Sequence, residues 1–525
     1  MVRFGASSWR TYRSEVTGAD FRGRPRRGVY EESLLVRLPR VLPRVVIRRL
    51  AVWSAVAACA RAALPETPLQ LTPCRVAGVA REVKCGRWEV FENRAENKGR
   101  KISLRVVVVQ ARYDGHFGDP VIFFTGGPGE AATSEAALIE SEWSELGKQR
   151  DFLLVDVRGT GDSNPLPCSW GDVDQDFRSA LVGFIPVDLV KHCRPQLESR
   201  ADLRLYTTSL AVDDVDDVRK ALGYGKVNIG GASYGTRAAL EYLRRHGDVV
   251  RSMFLWDVAP TNLRMPVTFA RDAQDAFDGL AAACAAEARC KKAFPDPKAD
   301  LRQALARLEQ KPVELEIPGA SGKPVHFEMT RGGFAQAVRY MLYSPKTAAL
   351  VPLQVHRAAD GDFNPIGATA YGSGRALISG ISDGYYLSVT CSEDVPFFTE
   401  EEAASAARGT FLGDFRWRAQ KAACQNWPSK PAPASFLDPV RSDVPALLIG
   451  GTLDPVNPPR NAKDVSATLT HSRTLMVERG AHDFDGMEGR HCIDHVIAEF
   501  IDSGDEAKID TSCVARIRPA PFVLQ

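Results

Sequence analysis

Short apolar runs that end in glycine-rich or polar loops recur along the first half of the chain. Residues 102–110, 120–125 and 152–157 are rich in β-branched and aromatic side chains, which predicts three strands. Apolar residues at helical spacing follow at 212–222, and strand and helix patterns alternate from there to about residue 258. Strands that alternate with helices predict an α/β fold whose central sheet is mainly parallel and covered on both faces.

The pattern changes between about residues 261 and 435. Alanine-rich helical segments at 272–288 and 300–309 mix there with stretches broken by glycine and proline. The strand-then-loop pattern returns at 445–450 and 473–478. We therefore expect one sheet interrupted by a mostly helical insertion, here called the cap. The expected parts are a leader at 1–63, the first part of the core at 64–260, the cap at 261–435 and the second part of the core at 436–525.

At 525 residues, of which 44% are hydrophobic and 25% charged, the chain is long enough for a large core and a second module. The net charge of +2 is unevenly distributed, since the first 49 residues hold twelve basic and four acidic side chains. The rest of the chain is therefore mildly acidic, with a net charge of about −6. Binding to nucleic acid needs a clustered basic face, so we expect no nucleic-acid partner.

The basic start has the features of a secretory signal. Arg44, Arg48 and Arg49 precede an apolar run at 50–60 that ends in small residues. This run is too short for a membrane span, which needs about twenty apolar residues. Two alternatives stay open: a short buried helix, and lipid attachment at Cys59, because residues 56–59 resemble a bacterial lipoprotein cleavage box.

The cysteines also favour export. Of eleven, ten remain once Cys59 leaves with the leader, and an even number in short loops predicts disulfides in a secreted or periplasmic protein. Reduced core thiols are the alternative. No CxxC spacing occurs, so we expect no cysteine-bound metal. The nearest-neighbour pairs are Cys74/Cys85, Cys168/Cys193, Cys284/Cys290, Cys391/Cys424 and Cys492/Cys513.

One serine has the context of a nucleophile. Ser233 is the centre of GASYG at 231–235, which follows a strand pattern and opens a helix, as a G-x-S-x-G nucleophile elbow requires. Ser382, in GISDG, matches the same letters, but an extended-looking run follows it. We therefore interpret Ser382 as a turn residue and Ser233 as the nucleophile.

The acid and the base should follow the serine in chain order. Asp454 comes directly after the strand predicted at 445–450, and His482 lies on a loop after the strand predicted at 473–478. The alternative for Asp454 is a turn aspartate before proline. Three other histidines follow Asp454, but His471 precedes the last strand, and His491 and His495 fall on a predicted helix without the glutamate of a zinc motif.

These residue types fit acyl transfer. A serine hydroxyl is a weak nucleophile until a histidine takes its proton, and an aspartate fixes the tautomer of that histidine. Backbone N–H groups must bind the oxyanion of the tetrahedral intermediate. The elbow would supply the N–H of Tyr234, and the GGPG loop after a strand would supply that of Gly127. A phosphate cradle is a poor alternative because that loop lacks the Lys-Ser/Thr ending of a P-loop.

The constellation resembles the prolyl iminopeptidase and tripeptidyl aminopeptidase group of α/β-hydrolases. The matching segments are GGPG at 126–129, DVRGTGDS at 156–163, GASYG at 231–235, CSED at 391–394, CQNWP at 424–428, GTLDPVNPP at 451–459 and GAHDF at 480–484. The resemblance implies an α/β-hydrolase fold and hydrolysis of short peptides from a free N-terminus. It also implies that neither a metal nor an organic cofactor takes part.

The chain departs from the family pattern beside the first motif. Thr125 replaces a common histidine, Glu130 replaces a small residue, and Val157 replaces a polar one. None of them is a residue of the expected triad, but Thr125 and Glu130 should lie beside the substrate. Arg158 is interpreted as a structural residue that ties loops together.

An aminopeptidase must bind a protonated α-amine, which requires carboxylates near the nucleophile. Glu130, Glu393 and Asp394 lie close to the matching motifs and are the candidates, with ordinary surface carboxylates as the alternative. The acidic run at 213–217 is interpreted as the solvated face of a helix.

Two other functions stay open. A carboxylesterase or lipase would use the same triad on acyl esters, and a catalytically idle hydrolase fold would serve as a binding module. The number of residues released per cut, a preference for proline and the oligomeric state do not follow from the sequence.

Overall fold

The computed structural model of the chain describes residues 68–113, 117–172, 185–319 and 322–525, with the backbone alone at 373–379. The predicted leader at 1–63, including Cys59, lies outside these residues.

The described chain is built around a nine-stranded sheet. Its strand order is β1-β2-β3-β5-β4-β6-β7-β10-β11, and the six strands from β5 to β11 in that order run parallel. A separate antiparallel hairpin is formed by β8 and β9. The strands are β1 Thr72–Cys74, β2 Val83–Phe91, β3 Lys101–Val109, β4 Val121–Phe124, β5 Phe152–Val155, β6 Val227–Ala232, β7 Val250–Trp256, β8 Val313–Pro318, β9 Pro324–Met329, β10 Ala446–Gly451 and β11 Ser472–Val477.

Helices cover both faces of the sheet, as the alternating pattern predicted. They are α1 Ala136–Ser141, α2 Val187–Glu198, α3 Thr208–Ala221, α4 Tyr234–His246, α5 Phe269–Ala286, α6 Ala288–Ala293, α7 Pro297–Gln310, α8 Arg331–Met341, α9 Pro345–Ala348, α10 Val351–Ala359, α11 Asn364–Gly380, α12 Asp383–Glu393, α13 Glu400–Ala407, α14 Phe415–Cys424, α15 Pro459–Ser466 and α16 Cys492–Ser503. A short 3-10 helix, Ala132–Glu135, follows β4.

Alternation along the strands divides the core of the sheet between its two faces. Val106 and Val108 of β3 pack in one buried cluster, whereas Val107 and Val109 pack in another. A third cluster lies almost entirely within the segment that joins β7 to β10. That insertion therefore has a hydrophobic core of its own, made by helices α5–α11, α13 and α14 and the β8–β9 hairpin, whereas α12 packs in a cluster of the sheet.

The first two strands were not predicted. β2 pairs antiparallel with both β1 and β3, and charged residues such as Lys84 and Glu89 alternate with partly buried ones along it. A strand with one solvated face carries fewer apolar residues than the central parallel strands, so its apolar pattern is weaker.

Two interpretations of single segments were wrong. Ser382 precedes helix α12 rather than an extended run, because residues 384–393 are buried and tertiary packing overrides their β-branched and aromatic composition. The run at 213–217 is not a solvated face, since Asp214 and Asp216 are buried. Asp214 accepts hydrogen bonds from Arg158, which also donates to two backbone carbonyl groups and so ties loops together as expected.

All five predicted cysteine pairs are disulfides in the structure. Within the described residues, none of the helices combines the length and the apolar character that crossing a bilayer requires.

Candidate active site

Ser233 lies at a sharp turn between β6 and α4. Its φ of 54° and ψ of −125° fall outside the regions that non-glycine residues usually adopt, so the surrounding structure must impose this conformation. The flanking glycines make the turn possible. A Cβ at Gly231 would lie 2.6 Å from the carbonyl oxygen of Gly235, and one at Gly235 would lie 2.0 Å from that of Phe124. The turn therefore requires the two glycines of the motif.

Three side chains from distant parts of the chain converge at the carboxyl edge of the parallel strands. The imidazole Nε2 of His482 lies 2.9 Å from the Oγ of Ser233, and its Nδ1 lies 2.9 Å from the Oδ2 of Asp454. His482 follows β11 and Asp454 follows β10, as expected. This geometry can relay a proton from the hydroxyl to the imidazole while the carboxylate fixes the tautomer.

Hydrogen bonds from its own loop hold the carboxylate of Asp454 in place. Its Oδ1 accepts hydrogen bonds from the backbone N–H groups of Val456 (2.7 Å) and Asn457 (2.9 Å), and its Oδ2 faces His482. The loop of His482 is fixed from the cap, since the backbone N–H groups of His482 and Asp483 both donate to the carbonyl of Tyr343. The pKa of His482 is raised: burial opposes the imidazolium, but the charge and hydrogen bond of Asp454 outweigh burial.

A second buried carboxyl group, Asp257, was missed from the sequence. It directly follows β7, and its Oδ2 lies 4.0 Å from the Nδ1 of His482. Burial, and then the charges of Asp454 and Asp483, raise its pKa well above the ordinary value. The rule that selected Asp454, an aspartate at the end of a core strand, would also have found Asp257.

Asp257, Asp454 and His482 are also the group of described residues whose spacing could suit a metal, with ligand atoms within 4.8 Å of one another. The Nδ1 of His482 already faces Asp454 at 2.9 Å, so a cation would have to replace that contact. We assign no metal to this group.

The residues expected to bind an oxyanion lie on either side of Ser233. Tyr234 is the first residue of α4, and its side chain is buried away from the turn, where its hydroxyl contacts Thr208 and Tyr385. Gly127 follows β4, the strand that pairs with β6. A Cβ on the neighbouring Gly126 would lie 3.5 Å from the Cβ of Ser233, so this loop closely approaches the serine.

A cavity of about 580 Å³ opens onto Ser233 and His482. Its volume is in the range of binding sites for small ligands. Most of its wall is apolar, contributed by side chains such as Trp143, Leu263 and Phe269. Glu130, Glu135 and Arg339 are charged groups that also line it.

Glu130 and Glu135 form a pair in this cavity, bridged by Thr125. The hydroxyl oxygen of Thr125 lies 3.0 Å from the Oε2 of Glu130 and 3.3 Å from the Oε1 of Glu135. A hydroxyl has one proton, so it cannot donate fully to two carboxylates. Glu135 was not singled out in the sequence, where it is one of several acidic residues after the glycine-rich loop.

Burial and mutual repulsion disfavour two negative charges at this pair. Burial raises the pKa of Glu130, against the opposing effects of Thr125, His482 and the N–H of Gly126. Burial and the charge of Glu130 raise the pKa of Glu135 to about 7. At neutral pH the pair therefore holds one proton much of the time, and a bound cation would displace it.

Glu393 and Asp394 occupy a different place from the one expected. Both are buried beneath the elbow and neither lines the cavity. The carboxylate of Glu393 accepts hydrogen bonds from the backbone N–H and hydroxyl of Thr208, and that of Asp394 pairs with Arg237. The expectation that these two bind the substrate amine is therefore corrected: both lie outside the cavity and are bound by residues inside the fold.

A match to a family model agrees with the architecture described above. Residues 119–310 match the family model described as alpha/beta hydrolase fold. The chain has the α/β-hydrolase fold. A second model, described as TAP-like protein, matches this α/β-hydrolase over residues 410–513.

Two curated relatives cover most of the α/β-hydrolase. It is 25% identical to serine protease Hip1 of Mycobacterium tuberculosis (strain ATCC 25618 / H37Rv) over 89% of this chain and 98% of that protein. It is 23% identical to the tripeptidyl aminopeptidase of Streptomyces coelicolor over 84% of each. The resemblance predicted from the motifs is confirmed.

The solved structures it matches include a proline iminopeptidase of Mycobacterium smegmatis. That structure is 16% identical, with a TM-score of 0.38, over 80% of this chain and 98% of the other. A TM-score this low adds nothing to the assignment of the fold, which rests on the sheet and the family model.

Proposed function

We propose that this α/β-hydrolase is a serine peptidase that cleaves short peptides from their free N-terminus. The observation that carries the proposal is the position of the Glu130–Glu135 pair in the cavity that opens onto Ser233 and His482. The names of the relatives, a serine protease and a tripeptidyl aminopeptidase, agree with it.

In this mechanism, Ser233 attacks the carbonyl carbon of the scissile peptide bond while His482 Nε2 takes the hydroxyl proton. Asp454 stabilises the imidazolium that forms. The N–H groups of Tyr234 and Gly127 stabilise the oxyanion. As the intermediate collapses, the C–N bond breaks and His482 passes the proton to the leaving amine, which generates an acyl-enzyme. Water, deprotonated by His482, then releases the acyl group from Ser233.

The Glu130–Glu135 pair, called the acid pair from here on, would bind the substrate's ammonium group. An ammonium donates up to three hydrogen bonds, and carboxylates in a largely apolar cavity attract it more strongly than carboxylates in water would. A Cβ placed on Gly126 would lie 3.0 Å from the Oε2 of Glu130 and 3.5 Å from the Cβ of Ser233. The amine site and the nucleophile are therefore neighbours. An ester hydrolase has no need of such a pair.

Labelling with a fluorophosphonate tests the nucleophile, and substrate choice tests the reaction. We expect labelling of the wild type and none of Ser233→Ala. We also expect cleavage of aminoacyl or tripeptidyl arylamides with a free amine, and slower cleavage of their N-acetylated forms. Turnover of p-nitrophenyl esters alone would replace the peptidase with an ester hydrolase. Absence of labelling would favour the binding module.

We also infer that the protein works after export to an oxidising compartment. Five disulfides and the signal-like segment at 44–60 support this inference. Expression in a bacterial host should yield a processed form in the periplasm or the medium, whose mass shows five disulfides and the cleavage point. A full-length cytoplasmic product with free thiols would contradict the inference.

A further inference from the structure

Arg339, on helix α8 of the cap, is a buried cation at the wall of the active-site cavity. Its side chain lines the cavity, although the residue is only 2% exposed. Its Nε and Nη2 have no hydrogen-bond partner, and no ion pair joins it to a carboxylate in the described part of the chain. The guanidinium therefore lies in a largely apolar wall without a counter-charge.

Several other buried arginines of this protein have a carboxylate partner. Arg158 pairs with Asp214 at 2.7 Å, and Arg237 pairs with Asp394 at 3.0 Å. Burying a charge without a partner is costly, so buried charges are usually paired within the fold or used to bind a ligand. Arg339 lines the cavity and has no such partner among the described residues.

Two aromatic rings hold the guanidinium in place without neutralising it. Its central carbon lies 4.5 Å from the ring centre of Phe269 and 5.1 Å from that of Tyr343. Cation–π contacts of this kind fix the orientation of an arginine but leave its N–H donors available for a planar anion. Arg416 lines the same cavity and donates to Gln420 and Tyr386.

The position of Arg339 places it on the side of the leaving group. Its ring partner Tyr343 packs edge-on against His482, with ring centres 5.3 Å apart. His482 must protonate the leaving amine, so the leaving group lies beside this histidine. The acid pair follows β4 instead, next to the loop in which Gly126 approaches Ser233.

His482 interacts electrostatically with both charged groups. The positive charge of Arg339 lowers the pKa of His482, although Asp454 keeps that pKa raised overall. His482 in turn lowers the pKa of Glu130.

We propose that Arg339 binds a carboxylate of the substrate on the leaving-group side of the scissile bond. The preferred substrates are then short peptides with an ammonium group at one end and a carboxylate within reach of the cap. This inference rests on the proposed function for its orientation. The carboxylate is either the C-terminal α-carboxylate of a short peptide or the side chain of an acidic residue after the cut.

Binding to the Ser233→Ala variant tests the contact without requiring hydrolysis. The probes are Ala-Ala, Ala-Ala-Ala and Ala-Ala-Ala-Ala, each as the free acid and as the C-terminal amide, with affinities measured by calorimetry. We expect at least one free acid to bind about 10- to 100-fold more tightly than its amide. In Ser233→Ala combined with Arg339→Met, this ratio should fall to about one.

Matched variants separate the carboxylate contact from a general effect of charge or packing. Arg418 is an exposed cation of the cap, so Arg418→Met should preserve the acid-to-amide ratio. Arg339→Lys keeps the positive charge, so it should retain part of the acid-to-amide ratio that Arg339→Met loses. A peptide amide with an aspartate in its second, third or fourth position identifies the source: tight binding that depends on Arg339 assigns the contact to a side chain.

Two outcomes would overturn the inference. One is that Ser233→Ala binds every free acid and its amide equally. The other is that the preference for the free acid persists when Arg339→Met is added to Ser233→Ala. If Arg339→Met does not fold, the ratio in Ser233→Ala and its response to Arg339→Lys still decide. An acid preference that depends on Arg339, in a protein whose wild type cleaves no peptide, would support this inference and remove the proposed peptidase function alone.

Discussion

Two pairs of buried carboxyl groups lie near the nucleophile elbow, and they differ in what surrounds them. Glu393 and Asp394 lie beneath the elbow, where Thr208 and Arg237 bind them. Glu130 and Glu135 line the cavity, and the side chain they share is Thr125. Burial raises the pKa values in both pairs, to about 7 for Glu393 and about 6 for Asp394.

Burial and a raised pKa therefore do not distinguish a binding site from a structural network. The distinction is whether the fold supplies the opposite charge. The same comparison applies to the buried cations, since Arg237 has Asp394 whereas Arg339 has aromatic neighbours alone. Charges compensated inside the protein hold the cap to the core, and uncompensated charges at the cavity remain available for a ligand.

The largest effect should come from a third pair, Asp454 and Asp257, whose carboxyl groups lie 2.9 Å and 4.0 Å from the Nδ1 of His482. Asp454→Asn should lower kcat/KM by about 10³- to 10⁴-fold, because the imidazole loses the acceptor that fixes its tautomer. Asp257→Asn keeps the shape of the side chain and leaves the hydrogen bond of Asp454 to His482 in place, so kcat/KM should stay within about threefold. A fall of similar size in both variants would show that the two aspartates act together.

Removing an internally compensated charge should reduce stability. Asp394→Ala leaves the buried Arg237 without its counter-charge and the backbone N–H of Met265 without its acceptor. We expect the free energy of unfolding to fall by about 3–5 kcal/mol, measured by urea denaturation. Glu135→Gln, in the cavity, should leave it unchanged or slightly higher. A loss below about 1 kcal/mol for Asp394→Ala would contradict the comparison.

Removing an uncompensated charge should change substrate preference instead. The measure is the ratio of kcat/KM for an arylamide with a free amine to that for its N-acetylated form. Glu130→Gln and Glu135→Gln should each lower this ratio by about 10- to 100-fold, because a charged hydrogen bond to the ammonium is lost. Glu393→Gln, which changes a carboxyl group outside the cavity, serves as the control and should preserve the ratio. An unchanged ratio in both cavity variants would mean that the amine binds elsewhere.

The sequence predicted the fold well because the central strands are strongly patterned. Runs such as Val121–Phe124 are buried on both faces, so their apolar content is continuous and ends abruptly at a loop. The same loops carry Ser233, Asp454 and His482, and a parallel sheet brings the carboxyl ends of its strands to one edge. Helix α12 was missed for the opposite reason, since its residues favour extended structure and only packing makes them helical.

The charged side chains around the triad could be predicted only in part. Glu130 stood out because it departs from the motif of the family. Glu135 and Arg339 carry no local pattern, and what marks them is the absence of a partner within the fold. Pairing between residues such as Arg237 and Asp394 joins segments 157 positions apart, so one sequence cannot tell which charges are satisfied.

The smallest effect, and the most specific to the acid pair, concerns pH. With a pKa of about 7, Glu135 is mostly protonated at pH 6 and mostly ionised at pH 8, and only the ionised form attracts an ammonium group. The ratio of kcat/KM for free-amine to N-acetylated substrates should therefore rise about fivefold from pH 6 to about pH 7.5. His482 titrates in both reactions and cancels from this ratio. Above about pH 7.5 the ratio should fall again as the substrate amine loses its proton. Glu135→Gln should remove the rise near pH 7 and keep the fall, whereas a rise that persists in this variant would assign the titration to another group.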